Sequence, residues 1–495
     1  MRPYNAARMA IGSLLGLDLG THSAKGCAFD ADGHVLAKAE IPYEYDAPAR
    51  GMAEMDVERW WDATREILRS LARAPGVSGV EAIGITGQAP TIIAVDAEGR
   101  PLRPAILWLD VRSTEEASAL ADDFGDEASR LGGNRLHAYY GGPKLAWLRR
   151  HEPDVLARTT TFLQSHSLPV MRLTGSRVTD FSSAALWAPL YDARERAWSA
   201  HACARLGVAP AQLPALRPAH AVAGTVTAAA AREIGIPEGT PVVVGGADFA
   251  ASTLAAGVVD PGEACLMLGT SGNLIAPLAA PGFDTRLINS HHVGCERALT
   301  LAATLSGAVQ EWFRRVAAPD VPFDTLDAEA ASVPAAAAGV TLLPSLQGER
   351  TPYWDAHARG AFVGLTLAHG RGHLYRAVLE GVAVSFRHCA QVVRDSGVTL
   401  REVIVVDGGA RSALWRQIIT DALGVPVFYR PDAAGAPAGA AVLAGIGSGV
   451  LESAAAAKRW RGRLVRHTPE PACTATYERM LARRAELYPA LRRIA

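Results

Sequence analysis

The chain has 495 residues, with 49 Lys and Arg against 50 Asp and Glu, a formal net charge of −1. That balance removes the usual electrostatic reason to propose nucleic acid or a membrane surface as partner. Hydrophobic residues at 49% and charged residues at 20% fit a globular chain with a large core and exclude wholesale disorder, and the length suits two large domains or three smaller ones.

In chain order, Met1–Leu17 carries Arg2 and Arg8 ahead of a short apolar run, a faint imitation of a signal peptide. The run leads straight into Asp18 with no small-residue cleavage site, so it reads as a tail before the first strand, and the protein reads as cytoplasmic. Ser13–Asp18, Lys25–Asp30 and Gly33–Pro42 predict three antiparallel strands, joined by turns at Gly20-Thr21-His22-Ser23 and Asp32-Gly33. From Asp56 to Arg73, Val57, Trp60, Trp61, Thr64, Ile67, Leu68 and Leu71 recur at three- and four-residue steps, predicting a helix that buries both tryptophans. Glu81–Thr86 and Thr91–Val95 follow as strands. Pro241–Gly246, a Val run ending in Gly-Gly, suits one continuous central strand. The opening is echoed later: Cys265–Gly272 repeats the strand and Gly-Thr turn of Gly16–Thr21, with Met267 where the first copy has Asp18. The echo predicts two lobes of similar topology. Beyond it come a long helix through Leu374–Cys389, a strand Glu402–Val406 ending at Asp407-Gly408-Gly409-Ala410, a helix Ser412–Leu423, a strand Val425–Tyr429 and an alanine-rich helix from Pro437. The six cysteines (27, 203, 265, 295, 389 and 473) form no CxxC pair and read as small buried hydrophobes. No apolar stretch reaches the roughly 18 residues of a membrane helix.

The chemistry lies in glycine turns after strands. A turn that wraps polyphosphate oxygens needs bare backbone N–H groups. Gly20-Thr21 and Gly269-Thr270-Ser271-Gly272 offer these with a hydroxyl alongside. Asp18, just before the first turn, suits a hydrated magnesium ion, and Lys25 adds a point charge. Asp248 follows the Val run and Gly245-Gly246-Ala247 and faces the crevice expected at strand C-termini, as a general base for a hydroxyl or as a helix N-cap. The chain has no Gly-Lys dipeptide, hence no Walker A loop, and no Gly-x-Ser-x-Gly elbow.

Gly16-Leu17-Asp18-Leu19-Gly20-Thr21-His22-Ser23-Ala24-Lys25 resembles the first phosphate motif of the FGGY carbohydrate kinases. Gly245-Gly246-Ala247-Asp248 is similar to their catalytic-base motif, Leu268–Gly272 to their second phosphate motif, and Asp407–Ser412 to their adenosine motif. Pro104–Trp108, Pro143–Trp147 and Gly348-Glu349-Arg350-Thr351-Pro352 are similar to the xylulokinases of that family. The resemblance implies an α/β, two-lobed actin-like ATPase (ribonuclease H-like) fold with an interdomain cleft. It implies an N-terminal domain over 12–256, a C-terminal domain over 257–450 and a helical extension over 451–495. It implies ATP-dependent phosphorylation of a sugar or polyol, first of all D-xylulose, with Mg2+, in a homodimer acting on a small molecule; the alternatives are a kinase for another ketose or polyol (ribulose, erythritol, glycerol) or a non-catalytic actin-like nucleotide switch. Asp248 would take the hydroxyl proton and Asp18 would orient the hydrated metal. Gly20, Thr21, Ser23, Lys25, Gly269 and Thr270 would grip phosphate, and Gly408, Gly409 and Ala410 would let adenosine lie against backbone. Gln88, Ala89, Pro90, Trp108, Asp110 and Asp248 would meet the sugar. Closure of the lobes would expel water. The chain departs from xylulokinase spelling at Ala89-Pro90, where Met-His is usual, and at Phe249, where Asn is usual. Pro352-Tyr353-Trp354-Asp355 is nearer glycerol-kinase spelling. These changes imply a less polar sugar wall.

Overall fold

The computed structural model describes residues 12–493 apart from Pro281 and Asp432, so the expected N-terminal tail lies mostly outside the described residues. The chain divides into two compact units. The first holds residues 12–259, Asn289–Glu296 and Ala434–Trp460; the second holds Asp260–Ile288, Arg297–Ala433 and residues 461–493.

In the first unit β1 (Ser13–Leu19), β2 (Ser23–Phe29) and β3 (Val35–Pro42) form the antiparallel meander read from the turns. Helix α1 (Val57–Ala72) starts at Asp56, whose carboxylate accepts the Glu58 N–H, and buries Trp60 and Trp61. Strand β4 (Val80–Gly87) then pairs parallel to β1. Strands β5 (Val222–Thr225) and β6 (Pro241–Val243) extend the sheet to the order β5-β6-β4-β1-β2-β3, and β7 (Gly246–Ala247) pairs with the far end of β4. The Val run is therefore not the single strand expected. Gly245 breaks it with φ of 78°, and a Cβ there would overlap the Ile85 carbonyl oxygen. Helix α2 (Asp248–Ala255) follows at once.

The second unit repeats the plan. Strands β8 (Glu263–Leu268) and β9 (Ser271–Pro277) are antiparallel, and β10 (Ala298–Leu305) pairs with β9. Helices α3 (Gly307–Ala317) and α4 (Arg371–Asp395) come before β11 (Glu402–Val406), which lies parallel to β8. Helix α5 (Ala413–Leu423), capped by Ser412 and closed by Gly424 in the left-handed region, leads to β12 (Val427–Tyr429).

The chain then returns to the first unit through α6 (Ala436–Ser448), although residues 434–450 were expected in the second domain. Glycines explain the return. A Cβ at Gly16 would overlap the Pro437 carbonyl oxygen, one at Gly84 the Ala440 carbonyl oxygen, and one at Gly439 the Ala251 carbonyl oxygen. Backbone thus lies on backbone where α6 crosses β1, β4 and α2. The stretch expected as a separate extension is also split. Residues 451–460 stay with the first unit, whereas β13 (Val465–His467) pairs with β12 and α7 (Pro471–Arg492) packs in the second. All six cysteines are free; four are buried as expected, but Cys295 and Cys473 are half-buried.

Candidate active site

Strand register assembles the candidate residues of the first unit. Gly246 pairs with Thr86, Thr86 with Asp18, Asp18 with Lys25, and Lys25 with Glu40. Directly paired residues point to the same face, so one rung carries these polar side chains across the sheet. The buried Thr86 hydroxyl donates to Asp18 Oδ1 at 3.2 Å and fixes a half-buried carboxylate at the strand end. The matching rung in the second unit reads Val406, Met267, Asn273, Ala303. The repeat therefore keeps the backbone and drops the carboxylate.

Asp18 leads into the first glycine turn, closed by Gly20 N–H to the Ser23 carbonyl at 3.0 Å. Three side chains latch this turn. The Tyr43 hydroxyl donates to the Gly20 carbonyl at 2.8 Å and Gln88 Nε2 donates to the same oxygen at 3.3 Å. Trp108 Nε1 donates to Thr21 Oγ1 at 3.0 Å. Burial, and then the Asp18 charge, push the Tyr43 phenol well above its usual range, so it stays a donor. Two expected sugar residues, Gln88 and Trp108, thus also hold the expected phosphate turn. Ser23 and Lys25 turn instead toward β3: the Ser23 hydroxyl donates to Glu40 at 2.8 Å and Lys25 Nζ lies 3.7 Å from the same carboxylate.

Asp248 opens α2 one residue beyond Ala247, which pairs with Gly87 as Leu19 does from the other side. Asp18 and Asp248 therefore flank the C-terminal edge of β4 on opposite sides, two strand spacings or about 10 Å apart across the sheet, with Asp248 further along the strand direction. Asp248 is not the N-cap; Ala247 holds that position. The half-buried Asp248 carboxylate accepts the Phe249 N–H at 2.7 Å. Behind it the Ala247 N–H donates to Ser182 Oγ at 3.1 Å, and the Ser182 hydroxyl donates to buried Asp180. Neighbouring His166 is fully buried, and desolvation pulls its pKa down to about 4, so it is neutral.

The expected sugar residues fall into two groups. Gln88 is buried and its Oε1 has no hydrogen-bond partner among the described residues. Ala89 and Pro90 are buried beside it, and the Tyr139 hydroxyl donates to the Ala89 carbonyl at 3.2 Å. Tyr139 also packs edge-on against Trp108, with centroids 6.4 Å apart. Asp110 belongs elsewhere. It is fully buried, and its oxygens accept the Ala53 N–H at 2.6 Å and the Arg112 guanidinium at 2.7 Å. Arg112 also reaches Glu54 at 2.7 Å. Asp110 thus anchors the loop that carries Trp108. Lys144 is fully buried under Tyr139, donating to the Ala138 and Tyr139 carbonyls at 2.6 and 2.8 Å, and burial lowers its pKa to about 7.

In the second unit the Gly269–Gly272 turn receives the start of α3: the Gly307 N–H donates to the Gly269 carbonyl at 2.9 Å and the Ala308 N–H to the Thr270 carbonyl at 3.1 Å. A cavity of about 1070 Å³ opens there, lined by Gly269, Thr270, Gly408, Gly409, Arg411 and Ser412 among others. Gly408 has open space where a Cβ would stand, whereas one at Gly409 would meet the Leu268 carbonyl at 2.8 Å. Ala410 is fully buried and does not line the cavity. Asp407 takes φ of 73°, outside the usual range for a residue with a side chain. A Cβ at Gly269 would meet its carboxylate at 3.7 Å, much as one at Gly20 would meet Asp18 at 4.0 Å. Each glycine turn therefore has a carboxylate at its flank.

The family model for the N-terminal domain of the FGGY family of carbohydrate kinases matches residues 13–255, and that for its C-terminal domain matches 206–448. The chain belongs to the FGGY family of carbohydrate kinases. It is 34% identical over 441 residues to a xylulose kinase of Escherichia coli, covering 87% of this chain and 89% of the relative. It is 31% identical over 445 residues to one of Bacillus subtilis, covering 89% of each. The solved xylulose kinase of Rhodospirillum rubrum superposes with a TM-score of 0.91 at 34% identity, over 97% of this chain and 99% of that one. The protein is thus a carbohydrate kinase with the two-domain actin-like ATPase fold. Such a kinase uses ATP and a small sugar, moving a phosphoryl group to a hydroxyl. Among the described residues no helix is long and apolar enough to cross a membrane.

For this FGGY kinase, the sequence reading missed Thr86, Tyr43 and Tyr139. Thr86 is visible only through strand register. Tyr43 was legible as the first residue beyond the third strand, level with the turn. Tyr139 had a local signal, the Tyr-Tyr-Gly-Gly just before the Pro143–Trp147 motif.

Proposed function

We propose that the protein phosphorylates D-xylulose to D-xylulose 5-phosphate with ATP and magnesium, as a cytoplasmic homodimer. The observation that carries this reading is the pair of carboxylates, Asp18 and Asp248, on either side of β4. Phosphoryl transfer runs through a loose transition state, so alignment and charge neutralisation supply most of the catalysis. Asp248 takes the proton of the attacking hydroxyl. Its carboxylate is held by the Phe249 N–H and its helix start by Ser182, which keeps the acceptor oxygen in place. The Gly20-Thr21 turn, pinned by Tyr43, Gln88 and Trp108, offers N–H and hydroxyl donors to the transferring phosphoryl group. Within the second unit, the cavity beside the Gly269-Thr270 turn, Gly408 and Gly409 offers bare backbone and room for a nucleotide.

Asp18 suits magnesium: a hard oxygen donor, half-buried and oriented by Thr86. Magnesium keeps most of its waters and needs one or two carboxylates plus substrate phosphates, not a protein cage. Bound there, it would neutralise developing charge on the phosphates. Gln88 Oε1, buried and without a partner among the described residues, is the acceptor for a sugar hydroxyl. Ala89, Pro90 and Phe249 supply the apolar part of the wall.

A coupled ADP-release assay over D-xylulose, D-ribulose, erythritol and glycerol tests the substrate. D-xylulose is expected to give the highest kcat/KM. A higher value for any of the others overturns the xylulose reading, and ADP release that no acceptor stimulates overturns the phosphotransfer reading. Gel filtration tests the dimer.

A further inference from the structure

We propose that Arg350 contacts the phosphates of the nucleotide, held in place by the C-terminal helix α7. The inference rests on the ATP-dependent reading above and deepens it.

The Gly348–Pro352 motif has so far no role. Its loop is built to hold a position. Glu349 and Asp355 exchange backbone hydrogen bonds at 2.7 and 2.8 Å, which closes the loop. Inside it, buried Thr351 donates to the Ala303 carbonyl at 2.9 Å and accepts the Ala303 N–H at 2.5 Å, tying the loop to β10. Helix α7 grips both ends through residues four apart on one stripe. Arg484 Nη2 donates to Glu349 Oε1 at 2.8 Å, with both side chains almost wholly buried. The Tyr488 hydroxyl donates to Asp355 Oδ2 at 2.8 Å, Arg492 Nε lies 3.0 Å from the same oxygen, and the Tyr488 ring stacks on Tyr353 with centroids 4.0 Å apart.

Between these fixed ends stands Arg350. It is half-buried, and its Nη2 donates to Ser271 Oγ at 3.4 Å, inside the Gly269–Gly272 turn. Leu346 and Gln347, at the head of the loop, line the same cavity as Gly269 and Thr270. A guanidinium beside a turn of bare N–H groups matches phosphate, because its planar fork gives paired, charge-assisted hydrogen bonds. The buried Glu349–Arg484 pair fits the same role. Such a pair adds little net stability over an apolar replacement, and its best-attested use is to fix geometry.

The test uses the full chain, with ADP and adenosine as probes. Arg350→Ala is expected to weaken ADP binding by about 10–100-fold, the loss of one or two hydrogen bonds to charge, while adenosine, which has no phosphate, stays within about 2-fold as a competitive inhibitor. Arg350→Lys should recover part of the ADP affinity, and Arg350→Gln serves if the alanine variant folds poorly. Arg484→Met should raise the KM for ATP more than it lowers kcat. Unchanged ADP affinity in Arg350→Ala overturns the proposal. So does an equal loss for adenosine, which would mark a packing role. Failure of the wild-type chain to bind ADP at all would instead overturn the ATP reading on which the proposal rests.

Discussion

Replacing Asp248 with asparagine separates proton acceptance from structure. The asparagine keeps Oδ1, which accepts the Phe249 N–H at 2.7 Å, and puts an amide nitrogen where Oδ2 stands. The start of α2 and the Ser182 bond to Ala247 are untouched, so the thermal midpoint should not move. The amide nitrogen cannot take a proton, so kcat should fall by roughly 10²–10⁴, the usual span for a positioned base. At about 1.36 kcal/mol per decade this is about 3–5 kcal/mol of transition-state stabilisation. Asp248→Ala makes the control. It also loses the acceptor for the Phe249 N–H and should cost a further ~0.5–1.5 kcal/mol of stability, as the loss of one hydrogen bond does. The assay is coupled ADP release with D-xylulose at saturating ATP, with ADP affinity measured alongside. If Asp248→Asn turns over within about 3-fold of wild type, well short of the span expected for a base, the residue only shapes the helix and the mechanism fails.

Asp18→Ala should cut activity strongly and flatten its dependence on magnesium concentration; an unchanged magnesium titration would make Asp18 structural. Gly84→Val should lower the thermal midpoint, because its side chain would overlap the Ala440 carbonyl, and overpacking costs about 1–3 kcal/mol. An unshifted melt would mean that α6 does not lie on β4. Lys144 gives a pH test. Its folded pKa is about 7 against an ordinary 10.5, so between these values the unfolded chain binds the extra proton and stability rises with pH. The full window is worth about 5 kcal/mol at 1.36 kcal/mol per unit. Lys144→Met lacks this term. The stability gap between wild type and variant should therefore grow in favour of wild type from pH 7 to 10, and a gap independent of pH would show that Lys144 stays charged.

What the sequence disclosed follows the range of the forces involved. The β1–β3 meander and its first turn were legible because alternation and a Gly-Thr turn are local signals. The start of α1 at Asp56 was legible for the same reason. The break at Gly245 was not: Val-Val-Val-Gly-Gly reads as a strand, and only the Ile85 carbonyl lying against it forces the left-handed conformation. The return of α6 to the first unit was likewise invisible, since Gly16, Gly84 and Gly439 are ordinary glycines until their partners across the fold are known. Asp110 looked like a free carboxylate near a candidate wall. Its commitment to Arg112 and the Ala53 N–H depends on Glu54 and Ala53, more than fifty residues earlier.

The same reasoning explains why the family was readable while the sugar is a proposal. Phosphate is gripped by the backbone of short turns, and that geometry dictates Gly-Thr almost residue by residue. The acceptor is met by side chains from separate segments: Gln88 to Pro90, Trp108, Tyr139, and Asp248 with Phe249. Each of these can change without disturbing the turns. Yet in this chain the two systems are coupled, because Gln88 and Trp108 each keep one polar group on the Gly20-Thr21 turn. A sugar that pulls Gln88 or Trp108 therefore also pulls the turn that holds the phosphoryl group. That linkage gives a physical route by which the right acceptor can tighten phosphate alignment, and water, which cannot span these contacts, cannot.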